Sequence, residues 1–165
     1  MNISVKVLTT GGTIDKVYFD AKSTYEVGAP TIEMIFKELV LDFRYEVASL
    51  MKKDSLDLTD RDRTIIYRAV LKEPADKIII THGTDTMVET AKKLSAIQDK
   101  VIVLTGALKP ALFKTTDAVF NIGCAVAAVQ VLTPGVYIAM SGRIFQHDNV
   151  RKNRRTGKFE TIAKS

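Results

Sequence analysis

Four near-continuous apolar runs rich in β-branched residues constrain this chain more than any other feature: Ser4 to Leu8, Lys77 to Thr81, Val101 to Leu104 and Val136 to Met140. Strands buried on both faces read this way, and such strands belong to parallel sheets covered by helices. A fifth run, Tyr45 to Leu50, reads closer to alternating. Between the runs lie helical patterns. Ile32, Ile35, Phe36, Leu39 and Val40 share a face after Pro30, a residue suited to a helix start. Ile65, Ile66, Ala69 and Val70 follow Thr59, a natural N-cap, with Asp60 and Asp62 placed to favour the positive end of the helix dipole. Thr86 and Glu89 have the spacing of a capping box, and Met87, Ala91 and Leu94 continue the stripe. Asp117 to Gln130 is almost wholly apolar and rich in Ala and Gly, which predicts a buried helix.

Strand and helix alternating in this way predict a doubly wound α/β fold, a mostly parallel sheet with helices on both faces. After Met140 the pattern changes. Arg143 to Gln146 reads as a short strand, a basic stretch runs to Lys158, and Phe159 to Ile162 reads as a returning edge strand. With 165 residues and 46% hydrophobic content, a disordered chain is excluded and one domain is expected over 1–165. Lys6 interrupts the first apolar run, so no signal peptide is expected, and no run approaches the roughly 18 apolar residues of a membrane span. The expectation is a cytoplasmic protein. Cys124 is the only cysteine and reads as a small core residue, unable to form an intramolecular disulfide or a multi-cysteine metal site. His147 beside Asp148 falls short of the three ligands a metal site needs. Neither metal nor cofactor is expected.

In open α/β sheets, ligands bind at the carboxyl ends of the strands, where neighbouring strands connect in opposite directions. The first run ends in Thr9-Thr10-Gly11-Gly12-Thr13 and the third in Thr81-His82-Gly83-Thr84-Asp85. A strand order of 2-1-3-4-5 would set these loops face to face. Glycines there let backbone N–H groups approach a ligand or an oxyanion. A threonine hydroxyl needs a nearby base to become a nucleophile, and Asp85, just ahead of a helix N-terminus, suits an ammonium group. Taken singly, Thr13 and Thr84 also suit ordinary turn and cap positions. His82 reads as a structural member of its loop.

The motifs TTGGTID at Thr9 to Asp15, THGTDTM at Thr81 to Met87 and VLTGALKP at Val103 to Pro110 resemble the bacterial-type L-asparaginases, amidohydrolases that convert asparagine to aspartate and ammonia. The similarity continues through Asp117, Phe120 and Asn121 to GVYIAMSGRIF at Gly135 to Phe145 and covers essentially the whole chain. It implies that Thr13 is the nucleophile that forms an acyl-enzyme, with Tyr25 on a mobile lid helping to activate it. It also implies that Thr84 and Asp85 pair with Lys152, that Ser55 holds the substrate α-carboxylate, and that Asp85 contacts the α-amino group. Gly12 and Gly83 would line the substrate site. A lysine beside Thr84 and Asp85 can accept a proton if burial disfavours its charge. Residues Asp15 to Ala29 show no clear periodicity and suit a lid that excludes water.

Two departures matter. Family members of ordinary length are about twice as long, and their second domain supplies an acidic residue to a neighbouring subunit; short-chain members built from the catalytic domain alone are the expected match here. Leu56 follows Ser55 where many members carry glutamine. Both imply a weaker hold on the substrate's α-amino and α-carboxylate groups, and Glu26, Asp57 or a carboxylate from a neighbouring catalytic domain could replace the missing acid. Phe113, Val119 and Phe120 are expected to bury against another subunit in a homodimer or homotetramer. Two other readings are a non-catalytic asparagine-binding relative and a flavodoxin-like flavin module, the latter requiring a helix directly after the first glycine loop. Finally, Arg151 to Lys158 holds five basic residues and no acid, which accounts for the whole net charge of +5. That concentration, without interleaved aromatics, points to the rim of a site for an anionic group and not to a nucleic-acid or membrane partner.

Overall fold

The computed structural model describes residues 3–162. Its centre is a six-stranded sheet in the order β4-β1-β5-β6-β7-β8, formed by β1 (Ser4–Gly11), β4 (Arg44–Lys53), β5 (Lys77–Thr81), β6 (Val101–Thr105), β7 (Gly135–Met140) and β8 (Arg143–Gln146). All neighbours are parallel except β8, which runs antiparallel to β7. The five long runs thus take the order 2-1-3-4-5, with the switch between β1 and β5.

The four near-continuous runs are buried on both faces because alternate residues serve two different layers. Ile78, Ile80, Ile102, Leu104 and Ile138 pack with α2 (Asp60–Lys72) and α3 (Met87–Leu94), contributing Ile66, Val70, Ala91 and Leu94. Val5, Val7, Ile79, Val103 and Ala139 face α1 (Thr31–Glu38) and α4 (Ala118–Val131), which contribute Ile32, Phe36, Ile122 and Ala125. β4 is one of the two edge strands, which accounts for its alternating pattern.

Several local expectations are corrected. The segment read as an aperiodic loop is a hairpin, β2 (Lys16–Phe19) with β3 (Thr24–Val27). It was hidden because neither strand enters the core: Tyr18, Phe19 and Tyr25 are about half exposed, so no buried face imposes a pattern. The helix after Pro30 stops at Glu38, and Leu39 and Val40 lie outside it in solvent. Thr86 occupies the N-cap position of α3, but its hydroxyl donates to Ser55 O at 2.8 Å and accepts no hydrogen bond from the helix. The reciprocal capping box belongs to Thr59 and Asp62 on α2. α4 buries one side only, through Ala118, Ile122, Ala125 and Val129, while Val119 and Phe120 are exposed. Phe159–Glu160 (β10) pairs with Arg151–Lys152 (β9) in a separate two-stranded unit and not at the edge of the main sheet.

Candidate active site

Both threonine loops leave the same end of the sheet from adjacent strands, since Thr9 pairs with Thr81 across β1 and β5. Thr10 Oγ1 donates to Thr81 O at 2.9 Å and ties the two strand ends together. Beyond them the backbones meet at glycines. Gly11 and Gly12 hold φ of 99° and 88°, a region that penalises any side chain. A Cβ on Gly12 would lie 2.4 Å from Gly83 N, and one on Gly83 would lie 2.5 Å from Ser55 Cβ. Thr13, Gly83 and Ser55 therefore belong to three segments in van der Waals contact.

Side chains then organise the centre. Lys152 Nζ donates to Thr84 Oγ1 at 2.7 Å and to Asp85 Oδ1 at 2.6 Å. The lysine reaches these groups from β9 with only 11% of its side chain exposed. Asp85 N donates to Ser55 Oγ at 3.2 Å, so the serine, the second threonine loop and the lysine form one connected network. His82 lies directly beneath. Its Nδ1 is 2.7 Å from Gly83 O, its Nε2 is 2.8 Å from Thr90 Oγ1, and full burial pushes the imidazole down to about 4. A neutral ring with the proton on Nδ1 satisfies both contacts, donating to the carbonyl and accepting from the threonine.

Four of the expected residues, Ser55, Thr84, Asp85 and Lys152, are thus brought together by hydrogen bonds, with Gly12 and Gly83 at the loop contact. Thr13 opens a short 3-10 turn, Thr13–Asp15, and is half-buried. Tyr25 projects from the hairpin and packs edge-on against Tyr18 and Phe113, with ring centroids 5.4 and 5.9 Å apart. Among the described residues, no hydrogen bond joins Thr13 or Tyr25 to the Lys152 network. The turn after the first glycine loop leads into a hairpin, so the helix that a flavodoxin-like phosphate site requires does not follow it.

Two supports were given no role by the sequence reading, although Asp117 and Asn121 lie within the resemblance. Asp117 accepts from Leu108 N and Lys109 N, while Asn121 bridges Gly106 O and Ser141 N, fixing the loop after β6. On the other side, Lys16 and Asp54 form an ion pair of 2.6 Å. Nothing in the spacing of positions 16 and 54 announces that pair; it follows from the parallel register that sets Gly11 opposite Lys53. The basic stretch is also partly neutralised, with Arg151 paired to Glu160 and Lys152 to Asp85.

The family model for the asparaginase N-terminal region matches residues 4–164. The chain belongs to the asparaginase family. It is 32% identical over 152 residues to an L-asparaginase of Thermococcus kodakarensis, covering 88% of this chain and 46% of that protein. It is 30% identical over 163 residues to a glutaminase-asparaginase of Acinetobacter glutaminasificans, covering 90% and 49%. Among solved structures, the thermostable L-asparaginase of Thermococcus kodakarensis superposes with a TM-score of 0.86 at 27% identity, covering 99% of this chain and 52% of that one. A probable cytoplasmic L-asparaginase from Campylobacter jejuni gives a TM-score of 0.82 at 28% identity, with 97% and 53% covered. The chain spans about half the length of these relatives. Among the described residues, no helix is long and apolar enough to cross a membrane.

Proposed function

We propose that this asparaginase-family chain is an amidohydrolase that releases ammonia from the side-chain amide of L-asparagine, using residues 1–165 as one catalytic unit. The carrying observation is the lysine held at 2.7 and 2.6 Å from Thr84 and Asp85, in a network that reaches Ser55. In this reading Thr13 attacks the amide carbon with Tyr25 assisting from the hairpin, and backbone N–H groups of the glycine-rich loops stabilise the oxyanion. The Thr13 hydroxyl proton passes to the leaving nitrogen as the C–N bond breaks, so that ammonia departs and an acyl-threonine remains. In its neutral form Lys152 then takes the Thr84 hydroxyl proton as Thr84 takes one from the attacking water, and the proton returns to Thr13 as the ester breaks. Ser55 holds the α-carboxylate and Asp85 the α-amino group, while Gly12 and Gly83 keep the pocket floor free of side chains. Exposed Leu56 offers no polar group to the substrate, so a weak hold and a KM above the micromolar range are expected. Weaker hydrolysis of glutamine belongs to the same proposal, since one methylene changes specificity by only about 1 to 3 kcal/mol.

The 2.7 Å contact favours a second reading in which Thr84, not Thr13, is the attacking hydroxyl. Ammonia release by wild type, Thr13→Ala, Thr84→Ala and Lys152→Ala decides between them. Loss of about 10²-fold or more in Lys152→Ala is expected under both readings. A burst of acyl-enzyme that survives Thr84→Ala but not Thr13→Ala supports Thr13, and the reverse supports Thr84. Equal rates in all four proteins would remove the enzymatic reading and leave an asparagine-binding relative. We further propose a homodimer or homotetramer that covers Phe113, Val119 and Phe120, which are 40%, 50% and 62% exposed in the single chain. Light scattering showing only monomer at micromolar concentration would overturn that assembly.

A further inference from the structure

Asp54 uses its two carboxylate oxygens on two different parts of the site. Oδ1 accepts from Leu56 N at 3.2 Å and closes the turn that presents Ser55. Oδ2 receives Lys16 Nζ at 2.6 Å. Lys16 is the first residue of β2 and follows the Thr13–Asp15 turn without a gap. One carboxylate therefore touches both the segment that carries the substrate-binding serine and the segment that carries the threonine and the lid.

The hairpin register explains why this contact bears on the lid. Lys16 pairs with Val27 and Tyr18 with Tyr25, so these four side chains share one face of the hairpin. That face and the end of β4 enclose a groove of about 540 Å³ lined by Tyr25, Lys52, Lys53 and Asp57 as well as by Lys16 and Asp54. The pair is sheltered, with side-chain exposures of 28% and 29%, against 63% and 43% for the Lys22–Glu26 pair near the hairpin tip. The hairpin is also anchored at its base, where Gly28 N donates to Asp15 O at 2.8 Å, and through Tyr25, whose ring meets Phe113. Lys16 and Asp54 add the tie toward the serine turn.

We propose that the Lys16–Asp54 ion pair is a latch that holds the lid hairpin against the Ser55 turn, making both residues positioning residues for substrate binding. Its kinetic consequence rests on the amidohydrolase reading; its mechanical consequence does not. Asp54→Asn keeps an acceptor for Leu56 N while weakening the ion pair, and Lys16→Met removes the charge from the other side, so the two variants should behave alike.

The test measures amide hydrogen exchange across residues 16–27 together with KM and kcat for asparagine at low and high NaCl. In Lys16→Met and Asp54→Asn, exchange in the hairpin is expected to accelerate while β5 and α3 stay protected. KM is expected to rise about three- to tenfold with kcat within about twofold of wild type. The double variant should be no worse than either single one, Lys16→Arg should restore KM, and added salt should raise KM in wild type but not in the variants. Unchanged hairpin exchange, additive effects in the double variant, or a loss confined to kcat would each overturn the latch. If wild type releases no ammonia, the functional reading fails while the exchange data still judge the latch.

Discussion

The two threonine loops stand side by side at one end of the sheet and are built on opposite plans. In the loop from Thr81 to Thr86, every polar side chain beyond the strand is engaged: His82 with Gly83 and Thr90, Thr84 and Asp85 with Lys152, Thr86 with Ser55. In the loop from Thr9 to Asp15, the turn is set by glycine backbone conformation, and the chain runs on into a hairpin whose aromatic rings are half exposed. The proposed proton-transfer side is preorganised by side-chain hydrogen bonds, whereas the proposed nucleophile, whose hydroxyl makes none among the described residues, sits where the chain turns into the half-exposed hairpin. That division suits a reaction whose substrate must enter before water is excluded, because only one wall of the site has to close.

The sharpest way to break the comparison is at the point where the loops touch. Gly12→Ala would place a Cβ 2.4 Å from Gly83 N at a φ of 88°, against backbone that cannot swing aside. A destabilisation of at least about 3 kcal/mol by chemical denaturation is expected, with loss of ammonia release, because the strain moves both loops at once. A variant that keeps full stability and loses activity would mean that the first loop yields and the second does not need it.

His82 probes the rigid loop alone. Burial holds its folded-state value at about 4, below the ordinary value of 6.5. The unfolded chain takes up a proton first, so this group's contribution is complete above about pH 6.5 and is lost as pH falls through about 4. The loss amounts to up to about 3 kcal/mol. Urea denaturation at several pH values should show that slope in wild type and a flatter one in His82→Gln. Parallel slopes would show that the imidazole is not held neutral and that the second loop is less constrained than its contacts imply.

The fold was legible because Ile78 to Ile80 and Ile102 to Leu104 each serve two layers, and double-sided burial leaves a continuous apolar signature. The loops were legible through their Gly and Thr content, which the close approach of strand ends demands. What escaped was structure without a buried face. The hairpin over Lys16 to Val27 shows no periodicity because solvent covers much of it, and Leu39 and Val40 extended a helical pattern that the chain does not follow. Thr86 carried a capping signature yet turned its hydroxyl to Ser55, a partner 31 residues away that local spacing cannot reveal. Lys16 and Asp54 were silent for the same reason: each is an unremarkable surface-type residue until the β1–β4 register joins them.

A smaller effect is expected beneath the first loop. Gly12 N donates to Lys53 O at 2.9 Å, and Lys53 Nζ is held 2.9 Å from both oxygens of Asp62. Donors from Thr59 and then Lys53 draw the Asp62 carboxyl down to about 2. Because the folded-state value is lowered, the stabilisation is present above about pH 4 and disappears as pH falls through about 2. Asp62→Asn should cost about 1 to 2 kcal/mol at pH 7 and nothing near pH 2, read by thermal or urea unfolding. If Asp62→Asn also raises KM, the support under Gly12 is transmitted to the site; an unchanged KM confines it to α2.

Asp15 should give the smallest change and the opposite pH trend. It lies at the hinge between the threonine turn and the hairpin, buried, with Oδ1 accepting from Thr31 N at 2.9 Å and from Thr31 Oγ1 at 2.8 Å. Burial pushes its carboxyl up, and the two threonine donors only partly oppose this. A raised folded-state value means that the native protein binds the proton more tightly than the unfolded chain. This contribution therefore grows as pH falls and is lost as pH rises through the folded-state value, against the direction found for Asp62. In Asp15→Asn the amide oxygen can still accept from Thr31, and the cost of burying a charge is gone, so the net change at pH 7 should stay within about 1 kcal/mol. The difference between wild type and variant should shift in favour of wild type as pH falls toward the ordinary carboxylate range. A loss above about 2 kcal/mol at pH 7 would mean that the charged carboxylate itself fixes the hinge, and that the first loop is anchored as firmly as the second.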